Sequence, residues 1–151
     1  MQQYRKFLVT AAMAMAVSGV AQAKEDDDGG KGCSVATLDG LYVFTASGFN
    51  IVAGVAQPKA IVELITFNGD GTITGGKTTV SLNGVIFHSN NTPGTYTLGP
   101  DCTGTLKFND GRANPEFDLY AAFKGSQIQM IQTAQSVGAP VFQGTAERVS
   151  R

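Results

Sequence analysis

The sequence predicts an all-β domain, a single antiparallel β-barrel of about eight or nine strands. Three observations carry this. Beyond residue 33, short apolar or alternating runs are interrupted by Gly, Asn, Asp and Pro about every 8 to 12 residues. The chain contains 19 glycines and no tryptophan, and no segment after the first 23 residues keeps a helical hydrophobic period. The interruptions are short enough for hairpins, which make neighbouring strands antiparallel. A β-sandwich is the alternative architecture. The barrel is preferred because it leaves no unpaired edge, and hairpin-linked strands close up-and-down more readily than they form Greek keys.

Strands are expected near 40–48, 58–68, 71–82, 84–90, 94–99, 102–108, 116–124, 126–134 and 139–149. Asn68-Gly69-Asp70-Gly71 and Asn83-Gly84 supply residues that tolerate positive φ in tight turns. Asn109-Asp110-Gly111 and Lys124-Gly125 mark two further turns. Residues 49–57, FNIVAGVAQ, fit a loop, a short helix or a flap. Phe117, Leu119, Ala121 and Phe123 share one strand face, with Asp118 and Tyr120 on the other. Residues 60–67 are apolar on both faces, which predicts a strand covered on both sides.

The first residues have the pattern of a secretory signal. Arg5 and Lys6 precede an apolar stretch at 7–20, and Ala21-Gln22-Ala23 has the small-x-small form that signal peptidase cleaves after. A spanning helix needs roughly 20 apolar residues, and this run is shorter and meets Lys24-Glu25-Asp26-Asp27-Asp28. Residues 1–23 are therefore expected to be removed, with no integral membrane segment left. The 128 residues that follow suit one domain. They carry nine basic and twelve acidic side chains, too balanced a charge for capture of nucleic acid. Residues 24–32, KEDDDGGKG, form an acidic, Gly-rich disordered tail with nothing apolar to bury. The acids are consecutive, without the alternating ligand spacing of a calcium loop. The folded barrel domain is then 33–151.

Cys33 and Cys102 are the two cysteines. Neither belongs to a CxxC motif, and in an oxidising compartment an even pair is most simply a disulfide. The expected location is accordingly secreted or periplasmic.

The segment Gly94-Thr95-Tyr96-Thr97-Leu98 is followed by Asp101-Cys102-Thr103-Gly104-Thr105. Upstream lie Gly40-Leu41-Tyr42-Val43-Phe44 and Phe67-Asn68-Gly69-Asp70-Gly71, and Gly144-Thr145-Ala146 stands near the end. With the early cysteine, this pattern resembles a group of small secreted bacterial proteins of unassigned function. That group looks like the small eight-stranded barrels of the calycin (lipocalin-like) and allene-oxide-cyclase type. The resemblance implies a barrel that binds hydrophobic small molecules and occasionally catalyses a cyclisation. It implies no particular catalytic residue, because the matched positions are turn and strand residues.

The candidate site residues are few. His88, the only histidine, suits a general base at a barrel mouth or an exposed strand end. Glu63 interrupts an apolar run and shares its face with Ile61, Ile65 and Phe67. The preferred reading turns it outward to pair with a lysine, since buried glutamate is rare unless paired. Turned inward, its pKa would rise and it would serve as an acid or base. Asp118 and Tyr120 either line a cavity or face solvent. Tyr42, Phe44, Phe67, Phe87 and Tyr96 supply an apolar pocket or ordinary core packing. No zinc spacing, phosphate-cradling loop or dinucleotide fingerprint is present, so neither a metal nor another cofactor is indicated. The expected function is binding of a small apolar molecule in the barrel interior or mouth. The rivals are a cyclase or isomerase with an interior carboxylate, and a structural or adhesive surface protein.

Overall fold

The computed structural model describes residues 32–151. The expected signal segment, 1–23, and all of the expected tail but Gly32 lie outside the described residues. A 3-10 turn, Val35–Thr37, leads into nine strands: β1 (Asp39–Val52), β2 (Val55–Asn68), β3 (Thr72–Leu82), β4 (Val85–Ser89), β5 (Pro93–Tyr96), β6 (Thr103–Phe108), β7 (Glu116–Ala121), β8 (Gln127–Ala134) and β9 (Ala139–Ser150). They form one antiparallel sheet in the order β2-β1-β9-β8-β7-β6-β5-β3, and β2 also pairs with β3, so eight strands close into a barrel. β4 is the ninth strand, attached to β3 outside the closed ring.

The barrel closes because its hairpins are tight. Asn83 and Gly84 both take positive φ (49° and 84°), the geometry of a two-residue turn whose twist matches the flanking strands. Ala53 and Gly54 repeat it (49° and 79°), and this corrects the reading of residues 49–57. They are neither loop nor helix but the end of β1, a two-residue turn and the start of β2. The 116–124 strand also stops short, at Ala121, where a 3-10 turn over Phe123–Gly125 begins.

β4 and β5 are two halves of one broken strand. Both lie on the same edge of β3, β5 against Thr72–Thr74 and β4 against Thr78–Leu82. At the break, Gly75 N–H donates to the Thr92 carbonyl (2.7 Å) and Asn91 N–H to that of Gly76 (3.2 Å). β5 continues the wall by pairing with β6. β4 does not.

Alternate residues of each strand fill the interior. Tyr42, Phe67 and Tyr96 make a chain of edge-on rings (centroids 5.0 and 4.9 Å apart). Phe44, Phe117 and Phe108 make a second (5.7 and 6.1 Å). Leu38, fully buried, joins the same core cluster. The hydroxyls of the first ring chain, on Tyr42 and Tyr96, are satisfied. Tyr96 Oη lies 2.8 and 3.0 Å from the carbonyls of Val35 and Leu38. Tyr42 Oη donates to Gly125 O (2.6 Å) and accepts from the Arg148 guanidinium (2.7 and 2.9 Å). The Cys33–Cys102 disulfide, with Cα atoms 4.9 Å apart, ties the start of the domain to the β5–β6 turn at this end. This end of the barrel is sealed.

The outer wall corrects one further expectation. Residues 60–67 are not covered on both faces: Ile65 and Phe67 are buried inside, while Val62 points out and is 54% exposed.

Candidate functional site at the open end

The opposite end carries the hairpin tips β1–β2, β3–β4 and β8–β9, and here the interior turns polar. Asn50, Glu63, Thr78 and Gln132 are buried. Glu63 does not face outward. It stands on the inner face of β2, across from Phe44 on β1 and Thr78 on β3, and is only 4% exposed. The physical reason is the strand's two-residue period: with Ile65 and Phe67 committed to the core, residue 63 is turned in with them.

Burial pushes the Glu63 carboxyl up to about 7, because the charged form loses water without gaining a cation. The Thr78 hydroxyl opposes the rise and the negative charge of Asp110 adds to it. Although it faces the carboxyl, Thr78 Oγ1 makes no hydrogen bond of normal geometry and is buried without a partner. A β-bulge between Glu63 and Ile65 and the absence of a side chain at Gly75 seat the carboxyl. A Cβ at Gly75 would lie 3.1 Å from Glu63 Oε1 and 2.7 Å from Thr92 O.

Above this pair lies a rim of amides and one cation. Lys59 Nζ sits 4.4 Å from the centre of the Phe142 ring and donates to Gln132 Oε1 (3.3 Å). Burial lowers the Lys59 pKa, and Asp110 opposes that shift. Gln132 Nε2 donates to Gln135 Oε1 (2.9 Å), and Gln135 Nε2 in turn to Asn50 Oδ1. The chain Lys59–Gln132–Gln135–Asn50 thus crosses the rim from β2 through β8 to β1.

One wall of the mouth is apolar and open. Cross-strand partners share a face, so Val85 and Phe87 on β4 lie on the side of Leu82 and Val80 on β3, which continues that of Ile61 and Lys59 on β2. All of β4 is exposed, because it has left the ring that would cover it.

The structure distributes the predicted residues unevenly. Glu63 and Phe87 belong to the open end, and Phe44 packs directly below Glu63. Tyr42, Phe67 and Tyr96 are core residues at the sealed end. His88 is on the outer side of β4, its Nδ1 3.2 Å from Thr79 Oγ1. Asp118 and Tyr120 are on the outer wall, opposite the buried Phe117 and Leu119.

Tyr120 borders a shallow groove of about 670 Å³ on the barrel exterior, together with Thr45, Ser47, Val62, Gln129 and Ile131. Among the described residues, no ionisable group besides Tyr120 and no buried polar side chain lines this groove. The one buried side-chain polar atom without a hydrogen-bond partner among the described residues, Thr78 Oγ1, is at the mouth. Lys59, Thr78, Asn50 and Gln132 were not among the predicted site residues. Only Lys59 has a signal in the sequence, standing four residues before Glu63 on the same strand face. Among the described residues no three His, Cys, Asp or Glu side chains gather into a metal site, and no helix is long and apolar enough to cross a membrane.

Fold and site together define a small, disulfide-closed antiparallel β-barrel with one sealed end and one open end that holds a buried carboxyl. Compared with known proteins, the chain matches no family model, no curated protein and no solved structure.

Proposed function

We propose that this protein is an exported binding module whose open end takes a small, largely apolar molecule carrying one hydrogen-bonding group. The observation that supports it most is the Glu63–Thr78 pair: among the described residues, a buried carboxyl with no cation beside it faces a hydroxyl that no hydrogen bond of normal geometry satisfies, under an apolar wall that no described residue covers. Buried polar groups are almost always hydrogen-bonded, and a ligand hydroxyl or amide would complete this pair. Ile61, Val80 and Phe87 would take the apolar body, and Lys59 would swing from Phe142 to admit it. The filled sealed end leaves the mouth rather than the deep interior as the place for a ligand. A disulfide at the other end suits an oxidising compartment, in keeping with the expected signal segment and the resemblance to calycin-like barrels.

Fluorescence titration with Nile red, a neutral lipophile, tests this reading. Uptake is expected below pH 7, where Glu63 is protonated, and should weaken as pH rises through about 7. Phe87→Ser should reduce it about tenfold, the equivalent of about 1.4 kcal/mol. No uptake at any pH, or uptake indifferent to Phe87→Ser, overturns the proposal.

A cyclase or isomerase is the second reading, favoured by one observation: a carboxyl titrating at about 7 is poised for proton transfer at neutral pH. It requires Glu63→Gln to abolish turnover of a bound substrate while leaving binding intact.

A further inference from the structure

We infer that two copies of this protein associate through β4, edge to edge about a twofold axis at Phe87. β4 is hydrogen-bonded to β3 on one side only, and all five of its residues are exposed. Natural proteins guard such an edge with charge, proline or a bulge. β4 is short, at five residues, but has none of these: residues 83–91, NGVIFHSNN, contain no Asp, Glu, Lys, Arg or Pro, and the β3–β4 register is unbroken.

The geometry selects both the occupant and the register. The two-residue turn at Asn83-Gly84 makes Leu82 and Val85 a hydrogen-bonded pair. The alternation then directs the backbone groups of Phe87 toward Val80 on β3, and those of Ile86 and His88 outward. An antiparallel twofold about Phe87 sets Ile86 of each copy against His88 of the other, giving four main-chain hydrogen bonds. The two Phe87 residues then meet on the axis as a close, non-hydrogen-bonded pair. Val85 falls opposite Ser89. A second copy therefore satisfies every outward donor and acceptor of β4 without placing like charges together, as an isologous interface requires.

Both Phe87 rings lie on the mouth side, so pairing joins the two apolar walls into one. The ribbon is short and buries less than the roughly 1,200–2,000 Å² of stable interfaces. The dimer is accordingly weak, with a dissociation constant between about 10 µM and 1 mM.

Sedimentation equilibrium of the mature chain over that concentration range tests the inference, with two variants fixing the register. His88→Pro removes an outward N–H without touching the β3 ladder, and should leave a folded monomer, verified by circular dichroism. Under mild oxidation, Phe87→Cys should cross-link to its counterpart at least tenfold faster than Val85→Cys, whose counterpart is two positions off the axis on each strand. A chain that stays monomeric at about 1 mM, a folded His88→Pro dimer, or equal cross-linking of the two cysteine variants overturns it.

Discussion

Replacing Cys33 and Cys102 together by serine is expected to lower the stability of the folded chain by about 4 kcal/mol, the chain-entropy value for a closed loop of this size. The cysteines are 69 residues apart, so the bridge removes much of the freedom of the unfolded chain. The loss should appear in urea denaturation as a lower midpoint, and as a fall in Tm of roughly 15 °C for a domain of this length. It also has a local side. Cys33 N–H donates to Pro100 O (3.1 Å), and Tyr96 reaches back to Val35 and Leu38, so the bridge and these bonds seal the same end. A double variant within 1 kcal/mol of the parent would show that the rest of the barrel closes this loop without the bridge.

Glu63→Gln is expected to change how stability depends on pH. The folded pKa of Glu63 is about 7, raised from 4.5. Between those values the unfolded chain has released the proton and the folded chain still holds it. Stability therefore falls as pH rises through this window and levels off above the folded pKa. The shift corresponds to roughly 3 kcal/mol lost between about pH 4 and pH 8. Glutamine is a neutral isostere of the protonated acid, so its curve should be flat across the same window. At pH 8 the variant should be the more stable protein, and near pH 5 the two should differ little. Parallel curves for parent and variant would mean that Glu63 is solvated. The exposed carboxylates Asp70 and Asp101, held below their usual range by bonds from Thr72 and Thr103, act in the opposite direction and at more acid pH, so they do not confuse the measurement.

The barrel was legible because its signals are local. Asn83-Gly84 and Asn68-Gly69-Asp70-Gly71 announce their turns through residues that accept positive φ, and nine strand segments follow from the punctuation between them. The Ala53-Gly54 turn was hidden because alanine at φ 49° gives no such signal. Facing was harder to read than pairing. In β2 the inward Ile61 and Ile65 alternate with the outward Val62 and Leu64, and both sets are apolar, so the pattern alone does not say which side is in. The same ambiguity holds for Asp118 and Tyr120, which face outward because the alternate residues Phe117 and Leu119 fill the core.

The mouth was illegible for a different reason. Asn50, Lys59, Glu63, Thr78 and Gln132 come from β1, β2, β3 and β8 and meet only through register. The break between β4 and β5 exposes the apolar wall. It depends on Gly75, Gly76 and Asn91 standing opposite one another, a coincidence visible only once the strands are paired.

A barrel end built around an uncharged interior acid is most directly tested by the carbon-13 shift of the Glu63 side-chain carboxyl, followed by nuclear magnetic resonance as pH is raised. The account predicts a midpoint at about 7. A midpoint in the ordinary range near 4.5 would place that carboxyl in water and contradict it.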